Sequence, residues 1–171
     1  ALFHVLNHAL VKSLMFFIGG NLSIKYRTKS MEEIRGVVGI MPLTGIGLLL
    51  GSFALAGLPP FNIFMSEIVI LSAGFSSGKI LPSCIFLAAL VIIFAGILKH
   101  ATAMAFNPPP QGMEKGEAGS SAILACLLLL LPVVFLGMYI PNFLDNILTQ
   151  SVSIVIGEKV SWMKEGFILT K

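Results

Sequence analysis

His4, His8 and Lys12 recur every fourth residue in an otherwise apolar run, ALFHVLNHALVKSLMFFIGG. In a helix turning about 100° per residue they fall within an arc of roughly 80°, so they form one polar stripe. A histidine titrates near neutral pH and can both accept and give a proton. A lysine taken out of water can also gain and lose its proton during a cycle. Glu67, in NIFMSEIVIL, is the only acidic residue between Gly36 and Glu114 and can carry a proton in the same way. A charge at the bilayer centre costs about 2.5–3.5 kcal/mol on insertion scales, and side chains kept there usually line ion paths. The chemistry that suits these four residues is proton transfer. Metal binding suits them less. His4-x-x-x-His8 has the spacing of two zinc ligands, but Val5 stands where a zincin carries glutamate, and no nearby Cys or carboxylate offers a third ligand. The plain alternatives are two neutral histidines bridging helices, and a lysine and a glutamate neutralised by structural partners.

The elements that must position these groups are membrane spans. Hydrophobic residues make up 56% of the 171-residue chain and charged residues only 11%, with a mean hydropathy of +0.95. A soluble domain carries about 25% charged residues. Residues 36–66, 80–98 and 118–144 contain no charge at all, and runs of that length are candidate bilayer spans. The chain starts inside an apolar run, without Met, a basic n-region or a cleavage site. A C-terminal portion of a longer polytopic protein is therefore expected, rather than a signal peptide. Cys84 and Cys126 fall within predicted spans and are expected to pack as small apolar residues. The net charge of +3 is small, and no basic patch interleaved with aromatics points to nucleic acid.

The expected fold is an all-α integral membrane protein with about four transmembrane helices. The first covers about residues 2–24. In the loop at 25–35, Ser30 and Glu33 fit a capping box, which predicts a short surface helix. The second apolar unit, residues 37–75, is too long for one ordinary crossing and is interrupted at Gly57-Leu58-Pro59-Pro60. Each proline removes a backbone donor and restricts the residue before it. Two short spans in a hairpin would be uncomfortably short, so one crossing built from two half-helices is the favoured reading. Unwound backbone at membrane depth survives only where protein buries it or it lines a wet cavity, and transporters place ion sites at such breaks. A third span covers 80–106 and is stopped by Asn107 and three prolines. A fourth covers 120–140 and ends at Pro141. Residues 1–141 thus form the transmembrane region. Residues 142–171 form an interfacial tail, where Trp162, Lys159 and Lys164 suit an anchor.

Lysine and arginine counts place the loops after the first and third spans on the cytoplasmic side and the C-terminus outside. Gly47-x-x-x-Gly51 is a helix-packing pattern. The Asn21-Leu22-Ser23 sequon is discounted because it sits at a span end on the predicted cytoplasmic side. Lys99 and His100, near the end of the third span, suit an interfacial position and offer a peripheral proton path. No phosphate loop, serine triad, cysteine metal knot or dinucleotide fingerprint is present, and residues 74–79 lack P-loop spacing.

The stretch LFHVLNHALVKSLMFFIGGNL resembles the His-rich helix of the antiporter-like membrane subunits shared by respiratory complex I, Mrp sodium/proton antiporters and membrane-bound hydrogenases. ALAGLPPFNIFMSEIVIL resembles the broken helix that follows it. HATAMAFNPPPQGMEKGE and KSMEEIRGVVGIMPLTG are most like the hydrogenase-4 and formate hydrogenlyase type, component F. The resemblance reaches to about Pro141. It implies a fourteen-span subunit of which this chain is the C-terminal part. It also implies a central proton row in which His4, His8 and Lys12 are the connecting residues and Glu67 the terminal one. It implies no cofactor in this chain, with nickel–iron and iron–sulfur centres in soluble partner subunits, and other membrane subunits as neighbours in a prokaryotic cytoplasmic membrane.

The expected function is a proton-translocating membrane subunit of a redox-driven complex, either hydrogenase-4-like or NADH dehydrogenase-like. The rivals are an Mrp-type subunit that also moves sodium and a structural subunit that conducts nothing.

Overall fold

The computed structural model describes residues 2–157, which form seven helices. The first, α1 (Leu2–Tyr26), contains no proline and ends where Arg27 turns left-handed at φ 53°. It buries Phe3, Asn7, Val11, Leu14, Ile18 and Leu22, a spacing of three and four that marks one helical face. Next come α2 (Val37–Ile40), α3 (Pro42–Leu55) and α4 (Asn62–Ser76), followed by α5 (Ile80–Phe106), α6 (Ser120–Met138) and α7 (Asn142–Ile156).

The polar loop after α1 departs from expectation. Ser30 and Glu33 do not cap a helix. The amides of Glu33 and Ile34 both donate to the Ser30 carbonyl, closing a single turn. The next helix waits until Val37, after Gly36 at φ 67°. A Cβ at Gly36 would lie 2.8–2.9 Å from Pro109. That close approach brings the proline-rich loop after α5 back over the start of α2.

The same loop caps α3. Glu117 Oε1 accepts from the Leu43 amide at 2.7 Å, and Glu117 Oε2 accepts from the Thr44 hydroxyl at 2.5 Å. A carboxylate at a helix N-terminus satisfies orphan amides and complements the dipole. The local pattern at Ser30 thus caps nothing, while the working cap comes from 73 residues downstream of Thr44. Replacing Glu117 by Ala is expected to cost about 1–2 kcal/mol, the scale of a lost cap. A thermal melt of the purified protein in detergent checks this.

The helices α1, α5 and α6 are long and apolar enough to cross a membrane. The shorter α3 and α4 lie end to end along α5, not side by side as a hairpin. One end of α5 meets α4, where Gly74 has room for the Ser83 hydroxyl and little else. At the other end, Met104 packs with Val37, Ile40 and Met41 at the entrance to α3. Two Schellman motifs delimit α3 and α4 at their C-termini. Gly57 donates to Ala54 O and Leu58 to Phe53 O. Likewise Gly78 donates to Phe75 O and Lys79 to Gly74 O. Gly57 and Gly78 both sit at φ 72°, the left-handed position these caps require.

The core has two parts. Leu14, Ile18, Leu22, Tyr26, Met41 and Leu48 fill the α1–α3 end, and Val11, Ala54, Phe61, Ile63 and Val133 fill the region around the break. Gly47 and Gly51 let α1 come close. A Cβ at Gly51 would press on the Met15 sulfur at 2.7 Å, and one at Gly47 would touch Ile18 at 3.6 Å. Without a hydrophobic force between helices in lipid, such small-residue contacts supply much of the packing. Asn21, in the discounted sequon, is buried inside α1 and donates to Cys126 Sγ at 3.8 Å. Cys126 is half-buried as expected, but Cys84 is exposed on the outer face of α5. The expected tail becomes α7 as far as Ile156. It is attached through buried Leu148. The anchor residues Lys159, Trp162 and Lys164 lie outside the described residues.

Candidate functional site

Between α3 and α4 the backbone unwinds for residues 56–61, and the amides in the gap find acceptors close by. Ala56 donates to Ser52 O, Gly57 to Ala54 O, Leu58 to Phe53 O and Phe61 to Leu58 O. Pro59 and Pro60 have no amide to satisfy. The two prolines thus leave no further amide donor in the segment to satisfy, which makes the break tolerable at membrane depth.

Two neighbouring helices close over this segment. From α6, Gly137 lies against it so tightly that a Cβ would collide with the Pro60 carbonyl, with Phe61 C at 2.5 Å and Asn62 N at 2.8 Å. From α1, Asn7 reaches in and donates through Nδ2 to the Asn62 carbonyl at 2.8 Å, while Asn62 Nδ2 donates to Asn7 Oδ1 at 3.2 Å. Both asparagines are fully buried. The pair ties the first turn of α4 to α1. Asn62 Oδ1 has no hydrogen-bond partner among the described residues.

One turn further along α4, Ser66 meets His4. The Ser66 hydroxyl donates to the Ile63 carbonyl at 2.7 Å and lies 2.9 Å from His4 Nδ1. The His4 ring stacks on His8, with centroids 5.8 Å apart and planes 28° apart. Both rings are half-buried. Glu67, the next residue on α4, is buried at 9% exposure. Its carboxylate is folded back against Gly57, and a Cβ on that glycine would collide with it. Among the described residues nothing donates a hydrogen bond to this carboxylate and no cation faces it.

Of the sequence-predicted residues, the fold pairs His4 with His8 beside Ser66, and it sets Glu67, the residue after Ser66, against Gly57 at the break that Leu58, Pro59 and Pro60 continue. Lys12 stands apart. It continues the stripe but is exposed on α1, turned out of this helix bundle rather than buried deep within it. Lys99 and His100 are exposed near the end of α5 that packs on α2, away from α4. Three buried residues that position the cluster carried no chemical signal of their own: Asn7, Asn62 and Ser66. The one clue to Asn7 is an amide standing among the mainly apolar buried residues of α1, a position it shares with Asn21. Gly137 offers no clue at all. Among the described residues no group of three His, Cys, Asp or Glu side chains could hold a metal ion.

Long apolar helices around an interrupted one, with ionisable side chains packed at the interruption, define a multi-pass integral membrane protein of the antiporter-like class. The chain belongs to the family described as NADH:quinone oxidoreductase/Mrp antiporter, transmembrane, whose sequence model matches residues 1–93. It is 34% identical over 171 residues to a hydrogenase-4 component F homolog of Methylacidiphilum infernorum, covering 99% of this chain and 32% of that protein. It is 40% identical over 67 residues to a Na(+)/H(+) antiporter subunit of Bacillus subtilis, covering 39% of this chain and 8% of that one. Hydrogenase-4 component B of Escherichia coli is 38% identical over 80 residues, 47% of this chain and 12% of its own length. The chain thus spans about a third or less of the relatives it matches. It is a membrane subunit of this family.

Proposed function

We propose that this chain supplies the second half of a proton path through a membrane complex of the hydrogenase-4 kind. The observation that supports it most is the packing of α1 on α4, which sets the His4–His8 stack beside Ser66, one residue before the Glu67 that lies against the helix break. A row of exchangeable groups at the point where backbone order is interrupted suits ion passage better than it suits structure. Lys12 faces outward from the bundle, where a preceding part of the protein or a neighbouring membrane subunit can hand it a proton. His8 and His4 hold that proton through water, and Glu67 releases it toward the far side.

Moving one charge against 100 mV costs about 2.3 kcal/mol. Nothing among the described residues releases energy on that scale, so a redox partner must drive the cycle. The proposed partners are soluble subunits carrying nickel–iron and iron–sulfur centres and further membrane subunits of the same assembly. A relative matched over 99% of this chain at 34% identity is a hydrogenase-4 component F homolog, which favours that assembly over the NADH-oxidising one.

A sodium-transporting role is the second reading, favoured by the likeness to the Na(+)/H(+) antiporter of Bacillus subtilis. Proton and sodium uptake into vesicles containing the whole complex separates the two. The expected result is proton uptake of equal rate with and without sodium. Uptake that requires sodium would overturn the proton reading.

A further inference from the structure

We infer that Ser66 holds His4 as its Nδ1–H tautomer, so that only the Nε2 atom of His4 can exchange a proton. The inference rests on the proton path proposed above for its functional meaning, but not for its geometry. The Ser66 hydroxyl has one hydrogen. Ser66 Oγ lies 2.7 Å from the Ile63 carbonyl oxygen, and a carbonyl has no hydrogen to offer. Two oxygens that close repel unless a proton sits between them, so the hydroxyl hydrogen points at Ile63. Ser66 Oγ can then only accept from His4 Nδ1, 2.9 Å away. A neutral imidazole carries one N–H, so Nδ1 carries it and Nε2 presents its lone pair.

The consequence concerns the direction of transfer. A histidine relays a proton straight through when one ring nitrogen receives and the other releases. Here the Nδ1 side leads to a serine whose own hydrogen is committed to a backbone carbonyl, and a carbonyl cannot pass a proton on. That side is closed. His4 takes up a proton at Nε2, becomes the imidazolium, and returns it from Nε2, ending as the same tautomer. It is a holding site on the path that the proton enters and leaves by one ring edge, without crossing the ring. Transfer onward to Glu67 therefore leaves from the same ring edge at which the proton arrived. Ser66 acts only through His4 and is a positioning residue.

The test is nitrogen-15 NMR of histidine-labelled whole complex in membranes, above the pH at which His4 titrates. A difference spectrum against His4→Gln assigns the ring. The expected wild-type spectrum shows a protonated Nδ1 and a bare Nε2, and the reverse overturns the inference without any variant of Ser66. In Ser66→Ala the ratio of Nδ1–H to Nε2–H should fall about fivefold, the scale of one neutral hydrogen bond. Ser66→Thr, which keeps a hydroxyl able to donate to residue 63, should restore it. An unchanged ratio in Ser66→Ala shows that Ser66 is not the holder. Proton uptake in the same samples reports separately on the path. A normal rate in His4→Gln would sink the relay while leaving the tautomer assignment standing.

Discussion

Glu67→Gln is expected to stop proton uptake by the whole complex while leaving the complex assembled. Glutamine reproduces the size and shape of the protonated acid but cannot give up a proton in the cycle. Loss of a group that directly exchanges the transported proton should lower the rate by about a hundredfold or more, the scale seen when acid–base groups are removed. The structure explains why assembly should survive. Glu67 makes no hydrogen bond and no ion pair among the described residues, so its charge is not what holds α4 in place. Its carboxylate occupies the space that Gly57 leaves open, and an amide of equal volume fits there. Co-purification of the remaining subunits checks assembly, and pH-sensitive dye in sealed vesicles checks uptake. Normal uptake in an assembled Glu67→Gln complex would remove Glu67 from the path and return this chain to a structural role.

Gly57 adds a condition to that experiment. Its left-handed φ of 72° terminates α3, and its missing side chain admits the carboxylate. Backbone break and ionisable group are thus one unit, because the residue that ends the half-helix is also the one that makes room for the acid. This link is not visible in the sequence. The prolines announce the break, and the isolated Glu67 announces the site. Their contact depends on a turn of backbone between residues 57 and 67 that no spacing rule encodes.

The same distinction runs through the rest of the chain. The bounds of α1, α5 and α6 can be read to within about two residues, because uninterrupted apolar runs and terminal prolines act locally. The end-to-end placement of α3 and α4 follows from the shortness of each half. What cannot be read is anything made by two distant residues. The capping pattern at Ser30 and Glu33 is a local signal overruled, since Glu117 from a distant loop caps α3 instead. Asn7 and Asn62 recognise each other across 55 positions. Lys12 fits the helical stripe by spacing, yet α1 is covered by α3, α4 and α6 on its other face. Helical period fixes which residues share a face and says nothing of which part of that face a neighbour covers.

Gly137→Ala is expected to be the most destabilising small substitution in α6. Two effects oppose each other. Alanine gains about 1 kcal/mol over glycine inside a helix. Against this, the added Cβ would lie 2.5 Å from Phe61 C and 2.8 Å from Asn62 N, and nearer still to the Pro60 carbonyl. These are backbone atoms of the unwound segment, and no flexible side-chain end can swing away. Either α6 moves off or residues 60–62 shift, and overpacking of this kind costs about 1–3 kcal/mol and sometimes more. The clash should win, lowering the thermal midpoint of the purified complex. Gly96→Ala is the matched control, because a Cβ there meets nothing within 4 Å. It should be neutral or slightly stabilising by the propensity gain alone. A Gly137→Ala complex as stable as the Gly96→Ala one would mean that α6 does not seal the break. If the seal holds, the functional cost follows from the same contact. Displacing Asn62 loosens its pairing with Asn7, and with it the register of α1 on α4 that sets His4 against Ser66. Proton uptake should then fall in Gly137→Ala even though the substitution adds no charge and touches no ionisable group.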